Sequence, residues 1–137
     1  MITLAKPEPS WTPPAQYELQ AAGTVWDAVQ APSYLGDRAL PRIGEASGAV
    51  VRDPYAHRLY WLLPPGATRS WTPLSHIQVY GPGCWIEVPP ADRTRGLGPY
   101  WVVAPRPGRL LTNARVLHAA LSDALDAAYG AREEPTR

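Results

Sequence analysis

At 137 residues the chain has room for one domain and one moderate core, which speaks against a second independent domain. Six Trp and seven Tyr with no Phe supply the bulk for that core, while 17 prolines favour short strands and loops over long helices. Thirteen basic and twelve acidic residues leave a formal net charge of +1, which excludes a global field pulling the protein toward nucleic acid or an anionic membrane; any such attraction has to be local.

Residues 1–22 carry Pro7, Pro9, Pro13 and Pro14 among polar residues, a composition that cannot hold a helix. They read as a Pro-rich N-terminal arm, either disordered or draped over the body through Trp11 and Tyr17. The arm lacks the apolar core of a signal peptide, and no run approaches the ~20 apolar residues of a membrane helix. A single cysteine, Cys84, leaves no internal disulfide framework. The expectation is a cytoplasmic protein that does not meet the membrane. All basic residues but Lys6 are Arg, a bias that a GC-rich genome explains more simply than selection for bidentate anion contacts.

Residues 23–130 read as one α+β domain. "TVWDAVQAP" predicts a short strand; a helix over 24–30 is the alternative, because Thr24 and Asp27 have capping-box spacing. "PSYLGDRALPRI" predicts a helix with Pro32 at its start and Pro41 near its end. "GAVVRD" and "RLYWLLPP" predict a hairpin. In its second strand Leu59, Trp61 and Leu63 point one way and Tyr60 and Leu62 the other, the pattern of a central strand covered on both faces. "HIQVYGPGCWIEVPP" predicts another hairpin around Gly81, Pro82 and Gly83. "PYWVVAP" predicts a last strand. From Asn113 to Tyr129, Leu117, Leu121, Ala124, Leu125 and Ala128 recur at helical spacing, with Gly130 as the stop. Residues 131–137 read as a frayed tail. The sum is five to six strands, mainly antiparallel, with one helix before the hairpins and one amphipathic helix after them.

The side-chain chemistry is sparse. His57, His76 and His118 show no paired spacing and no Cys partner, so no metal site and no cofactor is expected. Ser75 and His76 are neighbours at a strand start, where adjacent side chains point to opposite faces, so they make no nucleophile pair. "GPGC" and "GLGP" lack the Lys and helix start of a phosphate cradle and read as turns. The acidic residues include no Asp-x-Asp or Asp-x-Glu pair, the spacing that commonly brings two carboxylates to one face of a strand for two-metal chemistry. Glu87 stands in mid-strand on the face of Trp85 and reads as an exposed or Arg-paired edge position. Between Val88 and His118, Arg93, Arg95, Arg106, Arg109 and Arg115 face a single acid, Asp92, and are interleaved with Tyr100 and Trp101. Arginines beside aromatics suit single-stranded nucleic acid, and solvated loop positions are the plainer reading.

"RDPYAHRLYWLLPPG", then "HIQVYGPGCWIEVPPADR" and "GPYWVV", resemble the second half of the bifunctional DNA primase/polymerase N-terminal (prim-pol) domain of the archaeo-eukaryotic primase superfamily. The resemblance covers roughly residues 24–104 and is most specific at the glycine turn, at Pro89 and Pro90, and at Tyr100 and Trp101. It implies loss of catalysis. The family's third metal-binding Asp falls on Gln78, and the Arg two residues later on Tyr80. The catalytic His is missing, since Arg58 runs straight into Leu59 and His57 lies out of register. The first two carboxylates have no counterpart, and a nucleotidyl-transfer site needs metal ions to neutralise developing phosphate charge.

The expectation is a non-catalytic prim-pol-like accessory or regulatory domain. Arg93, Arg95, Arg106, Arg109 and Tyr100 are its nucleic-acid candidates, and Gln78, Tyr80, Trp85 and Glu87 its cleft candidates. The alternative is a self-associating protein-interaction module, expected as a homodimer, because two helices are few to cover a sheet apolar on both faces. An enzyme of another class, built on the Glu87 and Trp85 face, is the third reading.

Overall fold

Short apolar runs punctuated by Pro and Gly set the element order. The computed structural model describes residues 10–130, so the tail expected at 131–137 and the start of the arm lie outside the described residues. The chain runs through β1 (Glu18–Ala21), β2 (Asp27–Pro32), α1 (Ser33–Ile43), a 3-10 turn (Gly44–Ala46), β3 (Val50–Asp53) and β4 (Arg58–Leu63). It continues through β5 (Gln78–Tyr80), β6 (Trp85–Val88), β7 (Tyr100–Val103) and α2 (Ala114–Tyr129). Five strands form an antiparallel sheet in the order β5-β2-β4-β3-β7, and β1 pairs with β6 in a separate two-stranded ribbon. The protein is therefore α+β, with seven strands among the described residues where five or six were expected.

Within residues 24–30 the strand reading holds over the helix, with Asp27–Gln30 in β2 and residues 24–26 leading into it without a helix. Asp27 opens β2 rather than filling a capping box, since β2 pairs with β4 along its whole length. Both β2 and β3 run antiparallel to β4, which lies between them, and α1 makes the connection. Leu35, Ala39 and Ile43 recur at four-residue spacing on the buried side of α1, and Gly44, at φ +59°, ends it. Gly36 lets α1 approach the sheet closely: a Cβ there would stand 2.8 Å from Leu59 Cδ2. The second helix, α2, packs on the same face, so Val29, Leu59, Trp61 and Leu63 of the sheet meet Leu117, Leu121 and Ala124. Asn113 caps α2, its side-chain oxygen accepting from the Arg115 and Val116 amides. Asn113→Ala should lower stability by about 1 kcal/mol, read as a drop of several degrees in Tm; an unchanged Tm would show that the cap contributes nothing.

On the opposite face Ala28, Val51, Tyr60 and Leu62 are buried under Ile86 and Val88 of the ribbon, with Trp26 and Trp101 beside them. This overturns the hairpin expected around Gly81, Pro82 and Gly83: β5 joins β2 at the sheet edge, whereas β6 crosses to the ribbon. The turn is as local chemistry predicts, with Cys84 N–H donating to the Gly81 carbonyl and Gly83 at φ +92°. A hairpin would have left the second face bare, whereas the crossing carries Ile86 and Val88 onto it.

The described part of the arm takes the draped alternative, held through Trp11 and Tyr17, and adds a strand that was not expected. Past Pro14 no proline interrupts the chain until β2, and Glu18–Ala21 forms β1. Ahead of it Trp11 meets Trp26 and Trp101 edge-on, at ring-centroid distances of 6.3 and 6.5 Å. Tyr17 donates its hydroxyl to the Pro99 carbonyl at 2.7 Å. The argument for self-association from an uncovered face thereby loses its premise, because ribbon and arm supply the cover.

Candidate binding site

Strand register gathers polar side chains on the second face, toward the end of the sheet where β2 meets α1. Gln30 pairs in register with Tyr60 on one side and Gln78 on the other; Pro32 pairs with Arg58, and Ala28 with Tyr80. Alternation puts Arg58 and Tyr60 on one face of β4, and Gln78 and Tyr80 on the same face of β5. Gln30 is almost buried and donates its amide N–H to Gln78 Oε1 at 2.6 Å. The Tyr60 and Tyr80 rings meet edge-on at 5.6 Å.

Interaction with the Tyr60 hydroxyl, two residues along β4, holds the Arg58 guanidinium above the usual arginine range. Burial pushes the Tyr60 phenol up, and Arg58 opposes that shift. Asp53, opposite Arg58 in register, directs Oδ1 to the amides of Tyr55 and Ala56 and so shapes the β3–β4 turn. The corner offers amide donors and acceptors, phenols and a permanent cation.

The four cleft candidates divide. Gln78, Tyr80 and Trp85 line an open depression of about 470 Å³ with Val79 and Cys84. Glu87 lies outside it, exposed on the outer face of the ribbon opposite Leu19. Trp85 is 54% exposed, a high value for a large indole.

The five nucleic-acid candidates also divide, because β7 separates them. Tyr100 opens β7 opposite Arg52, at the sheet end that holds Arg58; Val103 closes it opposite Val50, at the other end. Arg93 and Arg95 are exposed in the loop before Tyr100. Trp101 N–H donates to the Arg93 carbonyl at 2.9 Å, and the Arg93 guanidinium lies 5.5 Å from the Tyr17 ring centroid. Arg106 and Arg109 follow β7 at the far end. There Arg106 borders a cavity of about 440 Å³ with Trp11, and Arg109 donates to the Ser47 carbonyl at 2.9 Å. A formal count along the chain had merged these two groups into one.

The histidines are scattered. His57 sits in the β3–β4 turn at φ +57°, its carbonyl accepting from the Ser33 amide. His118 Nε2 lies 3.0 Å from the Thr72 carbonyl. Ser75 and His76 lie in a turn before β5 rather than at a strand start. Among the described residues no group of three His, Cys, Asp or Glu is placed to hold a metal ion, and no helix is long and apolar enough to cross a membrane.

Three residues of the corner escaped the sequence reading: Gln30, Arg58 and Tyr60. Their signal is modest, one amide inside "DAVQAP" and an Arg-x-Tyr at the head of "RLYWLL". Asp27 is a fourth unexpected polar residue, buried at the opposite end of β2, where Oδ2 accepts from the Gly66 amide at 2.8 Å and Oδ1 is buried without a hydrogen-bond partner. No family model, curated protein or solved structure matches the chain.

Proposed function

We propose that this chain is a non-catalytic, prim-pol-like accessory or regulatory module that binds single-stranded nucleic acid at the polar corner of its sheet. The observation that carries the reading is the cluster of Arg58, Gln78 and Tyr80 on one sheet face; exposed Arg93 and Arg95 lie in the loop that leads into β7, at the other edge of the sheet from β5. Amides and phenols there can hydrogen-bond base edges, the Tyr80 ring offers a stacking edge, and the arginines suit phosphates. The same residues are poor ligands for divalent cations, which need carboxylate charge; Gln78 is engaged with Gln30 instead.

Fluorescence titration of a labelled oligothymidine across a salt series tests this. Affinity should fall with salt, with a log–log slope near 0.7 per phosphate contact. Arg58→Ala and the double variant Arg93→Ala, Arg95→Ala should each weaken binding and flatten the slope, while Arg106→Ala at the far end of β7 changes neither. Affinity no better than that of a charge-matched control protein, or binding untouched by these variants, overturns the proposal. Metal-dependent primer extension by the purified chain would overturn its non-catalytic aspect.

One observation favours a second reading, a self-associating module: β5 is terminal in the sheet and carries Val79 43% exposed beside Trp85. An unpaired strand edge with an exposed indole can take up the edge of another copy. Light scattering should then show dimers that Trp85→Glu disperses; a strict monomer at high concentration rejects it.

A further inference from the structure

We propose that the cavity between loop 73–76 and the last turns of α2 binds a guanidinium group. The cavity is about 270 Å³ and lies between two walls. Ser122, Leu125, Asp126 and Tyr129 form one wall; their spacing of three, four and seven residues puts them on one side of α2. Ser75 and His76 form the other.

Two features make this more than a surface dent. His76 holds a backbone φ of +68°, the left-handed region that non-glycine residues rarely adopt. That conformation accompanies a stack on Tyr129, with ring centroids 5.5 Å apart and planes 22° from parallel. Tyr129 is held in turn from α1, since its hydroxyl shares a hydrogen bond with the Tyr34 hydroxyl and the two rings meet edge-on. Strained backbone kept in place by its surroundings is a recurrent mark of sites built for a ligand.

Electrostatics sets the sign of the ligand. The carbonyl end of α2 carries the negative pole of the helix, and no basic residue stands in its last turn. Asp126 adds a full negative charge, with Asp123 on the turn before. Among the described residues the one ion pair is Arg52 with Asp37, so Asp126 is uncompensated there. An anion is repelled from this place. A guanidinium matches it on three counts: two parallel donors for one carboxylate, a flat face for the outer side of the His76–Tyr129 stack, and remaining donors for the serine hydroxyls. The volume suits a side-chain-sized group rather than a nucleotide or a large cofactor.

The group could belong to a free guanidino compound or to an arginine of a peptide or protein, and the probes separate these. The full chain is titrated by two-dimensional NMR with N-acetyl-arginine amide, with free arginine, and with N-acetyl-citrulline amide as the neutral isostere. Saturable shifts at His76, Asp126 and Tyr129 are expected from a guanidinium ligand, with citrulline at least about tenfold weaker. Response to the blocked amide assigns an arginine side chain; response to free arginine alone assigns a free guanidino compound. Asp126→Asn should weaken binding about tenfold. His76→Asn, which tolerates a left-handed backbone, should weaken it by removing the stack; the spectra of both variants report whether they remain folded. No saturation by either guanidinium ligand, equal response to citrulline, or full binding by Asp126→Asn overturns the proposal.

Discussion

Trp101→Ala is expected to lower the free energy of unfolding by about 3–5 kcal/mol, the range for deleting a large aromatic side chain from a packed core. The indole is 1% exposed and ties together three regions of the fold. Its strand, β7, pairs with β3 in the main sheet. Its ring meets Trp11 of the arm edge-on. Its N–H reaches the carbonyls of Pro89 and Pro90, just past the ribbon strand β6, at 3.2 and 3.1 Å. A domain of this size has roughly 5–15 kcal/mol of stability in total, so such a loss removes a large fraction of it. Urea denaturation followed by circular dichroism measures the change. Trp101→Phe keeps most of the ring but loses the donor, and should cost about 1–2 kcal/mol, since it leaves buried carbonyls short of a partner. A loss under about 1 kcal/mol for Trp101→Ala would mean that the ribbon is held elsewhere.

The second large effect is expected at Gly48. A Cβ there would stand 2.7 Å from the Leu110 oxygen and 2.7 Å from the Leu111 carbonyl carbon, both backbone atoms that a rotamer change cannot move. The contact is fixed from both sides: Gly48 N–H donates to Thr112 Oγ1 at 2.8 Å, Ala49 N–H to the Leu110 carbonyl at 3.0 Å, and Thr112 N–H to the Leu62 carbonyl at 2.8 Å. Gly48→Ala must push apart the backbone segments that cross at the head of β3, and should cost about 1–3 kcal/mol or more by overpacking. Thr112 is fully buried, and Thr112→Val, which leaves the Gly48 amide without its acceptor, should cost a further 1–3 kcal/mol or so. Because both act on one contact, the double variant should lose less than the two singles added together. Additive losses would show that Gly48 and Thr112 act independently.

The elements most legible in the sequence were those whose pairing is local. Leu59, Trp61 and Leu63 alternate with Tyr60 and Leu62, and the two sets enter the two separate cores. A short turn gives β4 its neighbour β3, and helical spacing with a Gly stop delimits α2. Elements whose partner lies far along the chain were less legible. Nothing within "HIQVYGPGCWIEV" says that β6 pairs with Glu18–Ala21 rather than with the strand before the turn, since both pairings satisfy the same turn chemistry. Likewise β1 hides behind four prolines that mark its surroundings as irregular.

The candidate site divides along the same line. Gln78 and Tyr80 were visible as a departure from an acidic pattern, but Gln30 lies 48 residues earlier and its bond to Gln78 exists only because β2 lies between β4 and β5. The arginines from 93 to 109 were countable in the text, while their division between the two ends of β7 needed the direction of that strand and its register with β3.

Composition, alternation and helical spacing by themselves determined the α+β class, the two-sided burial of β4, both helices and the scarcity of metal-ligating patterns, because each depends on residues within one or two turns of one another. Only the tertiary structure decided which strand covers the second face, which arginines share an end of the sheet, and which polar side chains converge there. Those outcomes depend on which distant pairing buries the most apolar surface, a comparison between whole arrangements of the chain that no local stretch contains.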